Sequence, residues 1–217
     1  FDVNDQGIAI GQTSDSFVFN DNDVVRTFAA IFNDGETIPF ANQEEDYSLT
    51  TLNRNGTLST ARAINNNNQV VGHMIRTVNG FDRTKFFVYD IDEETLMFPD
   101  DFFPGSSSIA RDINDQGLVV GEGEVDASIS GGIVRRRNGF LYNIEEDRFD
   151  NLNDLVGCDV PYTIVQAHGI NNAGEIAATA TARKPIRDIA GEVILDDNGN
   201  QTLEETLIAV KMVPIPG

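Results

Sequence analysis

The 217-residue chain has little with which to do acid–base or nucleophilic chemistry. It holds one cysteine, Cys158, and two histidines, His73 and His168, neither with a local partner pattern. Such a cysteine is not read as a nucleophile. It is either a small buried hydrophobe or half of a disulfide to a cysteine outside these residues, and the second suits an oxidising exterior. Basic residues are also scarce: 15 Lys and Arg stand against 35 Asp and Glu, a formal net charge of 15 − 35 = −20. Nucleic acids and anionic lipid surfaces are held by Lys and Arg that neutralise phosphates, so this balance excludes both as partners. No apolar run reaches the roughly 18 residues of a spanning helix. No leader-like segment opens the chain, and no membrane insertion by these residues is expected. No stretch carries the 3.6-residue period of an amphipathic helix.

What the chain has instead is a motif in four copies. They read Val3-Asn4-Asp5-Gln6-Gly7-Ile8-Ala9-Ile10-Gly11, Ile64-Asn65-Asn66-Asn67-Asn68-Gln69-Val70-Val71-Gly72, Ile113-Asn114-Asp115-Gln116-Gly117-Leu118-Val119-Val120-Gly121 and Ile170-Asn171-Asn172-Ala173-Gly174-Glu175-Ile176-Ala177-Ala178. An alanine stands three residues ahead of the last three copies, at Ala61, Ala110 and Ala167. The first copy lacks it because the chain begins too late, as in a piece of a longer protein. The copies start at 3, 64, 113 and 170, and self-similarity at such spacings marks propellers, solenoids or arrays. Each copy has hairpin chemistry. Asn and Asp bond to nearby backbone in turns, and Gly7, Gly117 and Gly174 enter the left-handed region without a Cβ penalty. Asn68 replaces that glycine in the second copy and is the residue best suited to do so. The closing Gly11, Gly72 and Gly121 mark a bulge or a close backbone approach. Asn4, Asn65, Asn114 and Asn171 are expected to bond turn amides and fix strand register.

A second hairpin follows each first one. Its strands are Phe28–Phe32, Lys85–Tyr89, Gly139–Tyr142 and Leu207–Met212, and three of them lead into polar turns such as Asn33-Asp34-Gly35-Glu36. Two hairpins make about four strands, the content of one propeller blade, and a blade buries its faces only against neighbours. The expected fold is all-β: one domain over 1–217, a propeller-like array of about four four-stranded antiparallel blades, incomplete or part of a larger ring. Its repeats span 1–60, 61–108, 109–166 and 167–217. Residues 20–23 are expected as a polar loop, 53–56 as an extra turn with an outer strand or loop, and 122–132 as an exposed insert. Open sheet edges would invite a homodimer.

The paired signature resembles the HAF-type repeats of bacterial exported proteins. Phe102-Phe103-Pro104-Gly105-Ser106, the stretch Arg135 to Ile144, and Asp154-Leu155-Val156-Gly157-Cys158 are similar to a gammaproteobacterial surface-protein family, a domain of unknown function. The resemblance covers nearly the whole chain. It implies export and attachment at the cell surface or periplasm, a C-terminal sorting segment beyond Gly217, and no catalytic residues to carry over. The chain departs from the pattern at Ala178, in place of a closing glycine, and at Ala30, in place of an aromatic.

Few residues suggest a site. Asp196, Asn198 and Asn200 alternate ahead of Glu204 and Glu205, which loosely matches a loop of hard-cation ligands, and calcium is the one cofactor suggested. Asp21 and Asp23, and Asp90, Asp92 and Glu93, are similar acidic turns, and such turns are otherwise simply solvated. The His73–His168 pair offers a metal site only if the fold joins them. Glu93-Glu94 and Glu145-Glu146 are equivalent hairpin tips, which accounts for them without catalysis. Arg135-Arg136-Arg137 is the sole basic cluster, read as paired with acidic neighbours or as a contact for an anionic polymer. The expected function is a non-enzymatic exported or cell-surface module that binds a protein or glycan. The alternatives are an extracellular hydrolase with an acidic cleft and a structural spacer.

Overall fold

The computed structural model describes residues 1–41, 55–125, 136–157 and 159–215. Each copy of the asparagine motif makes the turn between the first two strands of its own antiparallel sheet. The first sheet runs β1 (Asp2–Val3), β2 (Ala9–Phe19), β3 (Asn22–Asn33) and β4 (Glu36–Pro39), and β5 (Gly56–Thr57) joins β3 in parallel. The second runs β6 (Ser59–Ile64), β7 (Gln69–Val78), β8 (Phe81–Asp90) and β9 (Thr95–Met97). The third runs β10 (Ser108–Ile113), β11 (Leu118–Glu124), β12 (Arg137–Asn143) and β13 (Arg148–Asn151), and a one-turn helix α1 (Leu152–Leu155) follows. The fourth has three strands: β14 (Tyr162–Ile170), β15 (Ile176–Pro185) and β16 (Leu203–Met212). The all-β expectation holds, with one blade a strand short. Isolated bridges Arg187–Val193 and Leu195–Gln201 fill the excursion between β15 and β16.

Two local expectations are corrected and one is met. Residues 20–23 are not a loop: Asn20 and Asp21, with φ of 49° and 60°, form a two-residue turn, and β3 starts at Asn22. Left-handed backbone at both central positions matches strand twist, and Asn and Asp tolerate it. The extra strand expected after the 53–56 turn is present as β5, which pairs with β3 in parallel through Arg26↔Gly56 and Thr27↔Thr57. The supposed exposed insert begins inside β11, where Glu122 is 1 % exposed. Burial follows because its charge is fully partnered, as shown below. Asn53 and Arg54 of the expected turn, residues 126–132 of the expected insert, Arg135 of the basic cluster and Cys158 lie outside the described residues.

The sheets stack in chain order, and a separate core fills each junction. Ile10, Phe28 and Ile31 of the first sheet meet Ile64, Val70 and Phe87 of the second. Val71, Phe86 and Val88 meet Ile113, Val119 and Phe140 of the third. Val120 and Leu152 meet Ile164, Ile170 and Ile176 of the fourth. Among the described residues no such core joins the fourth sheet to the first.

The closing glycines are required by these junctions. A Cβ on Gly72 would lie 2.0 Å from the Thr60 carbonyl oxygen and 2.7 Å from the Phe87 ring, and one on Gly121 would lie 2.0 Å from the Ile109 carbonyl oxygen. Beside both, the ladder slips by one residue, between Ala61 and Ala63 and between Ala110 and Asp112. The fourth sheet slips likewise between Ala167 and Gly169. The extra residues are Arg62, Arg111 and His168, and bulges of this kind re-aim side chains.

Candidate functional site

The bulges begin a polar row. Arg62, Arg111 and His168 occupy one repeat position, two residues ahead of the motif isoleucine; His73, Glu122 and Thr179 occupy another, just after the closing Gly72, Gly121 and Ala178. Arg111 donates to both oxygens of Glu122, Nε to Oε2 at 2.5 Å and Nη2 to Oε1 at 2.7 Å. Gln166 Nε2 donates to the same Oε1 at 2.9 Å, and the Arg137 guanidinium lies 3.7 Å away. This is how a carboxylate is kept at full burial: fork geometry from one arginine, a neutral donor and a second cation nearby. The Glu122 hydrogen bond, foremost, raises the Arg111 pKa. His73 sits in the same field. Burial, then the charges of Arg62 and Arg111, lower its pKa to about 4, and its Nδ1 is buried with no partner. It is a neutral imidazole at pH 7. His168 bonds Thr179 at 2.8 Å.

Arg137 also lines an open cleft of about 1000 Å³ between the third and fourth sheets, which joins the polar row to it. Its wall includes Glu124, Arg136, Arg137, Tyr162, Arg183 and Glu205. Three arginines against two glutamates give this cleft a positive balance in a chain of net charge −20. Glu124 accepts from the Ser107 backbone N–H at 3.1 Å, and Arg183 faces Glu205 in the β15–β16 ladder. A smaller groove of about 440 Å³ lies between Phe98, Asp100, Tyr142 and Phe149. There the Tyr142 hydroxyl donates to Asp147 at 2.9 Å, and burial, then that bond, raise its pKa.

The motif asparagines form a structural ladder. Asn114 Oδ1 accepts from the backbone N–H of Gln116 and Leu118 at 3.1 and 3.0 Å, and its Nδ2 donates to the Asn171 carbonyl oxygen at 3.1 Å. Asn4 and Asn65 do the same within their turns and onto the next sheet. Gly7, Asn68, Gly117 and Gly174 all have positive φ, between 58° and 82°.

In two of the calcium candidates the aspartates already accept hydrogen bonds within the fold. Asp196 Oδ1 accepts from the backbone of Asn198 and Asn200, both at 2.9 Å, and these bonds lower its pKa. Asp90 Oδ1 accepts from Asp92 and Glu93, and Asp92 accepts from Asn68. Among the described residues no three His, Cys, Asp or Glu side chains converge as a metal site. Sequence reasoning missed Glu122, Gln166, Tyr162 and Arg183. The usable signal was alignment by repeat position, which places Arg62 over Arg111 and His73 over Glu122.

Comparisons with curated proteins and with solved structures give no match. A family model does match, over residues 1–217, and on that match the chain belongs to the family described as Protein of unknown function (DUF3466).

Proposed function

We propose that the chain is a non-catalytic binding module of an exported or cell-surface protein, and that the cleft between the third and fourth sheets takes an acidic glycan strand. The carrying observation is the convergence of Arg136, Arg137 and Arg183 on one open cleft in a strongly acidic chain. Guanidinium groups fit carboxylates in paired hydrogen bonds, and the Tyr162 ring offers a face for a sugar to lie on. The acidic remainder repels such a polymer everywhere else, so binding is confined to this cleft. Calorimetry with uronate oligomers tests the reading. Binding that weakens with salt, is lost in Arg183→Ala and does not occur with the neutral oligomer is expected; equal affinity for Arg183→Ala would count against it.

One observation favours a hydrolytic reading. Carboxylates from two sheets, Glu124 and Glu205, line the same cleft, and glycoside hydrolysis uses a carboxylate pair. It requires release of new reducing ends, abolished by Glu124→Gln or Glu205→Gln while binding persists. Calcium at the Asp196 turn is a separate proposal, in which the ion joins a carboxylate already bonded to its own turn. Titration heat in roughly the millimolar range of extracellular sites, absent in Asp196→Asn, is expected of it.

A further inference from the structure

The groove between the second and third sheets, about 440 Å³, is separate from the arginine-lined cleft and has the opposite chemistry. Its apolar walls include Phe98, Ile144 and Phe149, all half-buried. Its polar side chains are Asp100 and Asp147, both exposed, and the buried Tyr142. The Tyr142 hydroxyl is the only proton donor among the lining side chains, and it already donates to Asp147 Oδ1 at 2.9 Å. What these side chains offer a ligand is acceptor oxygens beside apolar surface.

The two carboxylates are positioned but not neutralised. Asp147 sits in a left-handed turn with φ of 45°, and its own N–H donates to the Ile144 carbonyl oxygen at 3.4 Å. Among the described residues no cation pairs with Asp147, and Asp100 has neither an ion pair nor a side-chain hydrogen bond. The nearby cations are engaged elsewhere: Lys85 with Asp101 at 2.8 Å, Arg148 with Glu146 and Asp150, and Arg76 over the Phe98 ring at 3.9 Å. The groove is also particular to this junction. Cross-strand registers place Pro99 where the first junction has Phe40, and Tyr142 where it has Tyr89. Phe40 and Tyr89 stack at 4.4 Å and 19°, whereas Pro99 and Tyr142 line the groove.

We propose that this groove binds a primary alkylammonium group, with its carbon chain against Phe98, Ile144 and Phe149 and its N–H donors on Asp100 and Asp147. An ammonium has three donors and no acceptor, so it satisfies a rim that holds acceptors alone. Aromatic rings add attraction for a cation, and the aliphatic chain is removed from water against the same rings. An anion or a neutral acceptor finds no side-chain donor here and is repelled by two carboxylates. The volume lies in the range of small-ligand pockets. The group could arrive on a free amine or on a lysine side chain of another protein, and the recognition chemistry is the same for both. The site stands apart from the glycan reading and takes the opposite charge.

Calorimetry on the full 217-residue chain tests this, in about 150 mM sodium chloride so that general attraction to a charge of −20 is screened. Two probes carry the group: n-pentylamine on a bare chain, and lysine acetylated at its α-nitrogen and amidated at its carboxyl. Saturable binding of at least one is expected, and the tighter probe identifies the source. Pentanol and pentanoate, with a similar chain and no positive charge, should bind at least tenfold more weakly. Asp100→Asn breaks no bond of the fold and should weaken binding about tenfold, and Asp147→Asn should also weaken it. Asp34→Asn, in an exposed turn of the first sheet, removes the same charge and should change nothing. Binding of neither probe overturns the proposal, as does binding indifferent to Asp100→Asn and Asp147→Asn. So does an equal loss in Asp34→Asn, which would mean attraction to net charge alone.

Discussion

At the scale of single residues, the buried polar groups carry the sharpest expectations. The Asn114 side chain makes three hydrogen bonds, two inside its turn and one to the next sheet, and the residue is 3 % exposed. Asn114→Ala takes the side-chain acceptor from two turn amides and one of two donors from the Asn171 carbonyl, so a loss of about 1–3 kcal/mol is expected, read as a lowered Tm. Asn114→Asp keeps the acceptor and loses only the donated rung, and its Tm should fall less. His73 sets a pH dependence. Unfolded, it titrates near 6.5; folded, burial keeps it neutral down to about 4. Between these values the unfolded chain binds the extra proton, so stability falls as pH drops from about 6.5 to about 4, and this group changes nothing above 6.5. The full span is about 3 kcal/mol. Denaturant titrations of wild type and His73→Gln across that window should show the slope reduced in the variant.

At the scale of the hairpin, the departures from the repeat compensate one another. Gly72 and Gly121 stand opposite Phe87 and Phe140, whose rings occupy the space a Cβ would need. Ala178 stands opposite Val210, so the lost glycine comes with a smaller partner. In the first sheet Ala30 faces Gly11, and the ring of Phe32 lies over the glycine instead. Gly121→Ala must push Cβ against the Ile109 carbonyl, which cannot move without breaking the bulge. A loss of about 3 kcal/mol is expected in chemical denaturation. Ala178→Gly should cost no more than about 1 kcal/mol, the ordinary penalty of a glycine in a strand.

At the scale of the whole molecule, stability is shared between neighbours. Three separate cores and one continuous ladder mean that each sheet is held by the sheets beside it, as in repeat proteins generally. The net charge of −20 opposes this compaction. Neutral salt screens that repulsion, so Tm should rise by a few degrees with added sodium chloride before levelling off. A Tm that falls with salt would mean that ion pairs such as Arg111–Glu122 outweigh the general repulsion.

The local chemistry of the four motif turns was determined by sequence. Asn-Asp-x-Gly followed by β-branched residues has few backbone solutions, so the all-β class, the hairpins and the left-handed position of Asn68 could be read directly. Glu122 could not be read. Sequence shows a charged residue beside glycines, which suggests an exposed insert; its burial depends on Arg111 across the hairpin, and on Arg137 and Gln166, brought to it by sheet pairing and by stacking. Cleft and polar row have the same origin, since Tyr162 and Arg183 meet Arg136 and Arg137 only because the fourth sheet packs on the third. Turns are encoded over a few residues by backbone sterics and short hydrogen bonds, whereas the burial of a charge is decided by partners far along the chain.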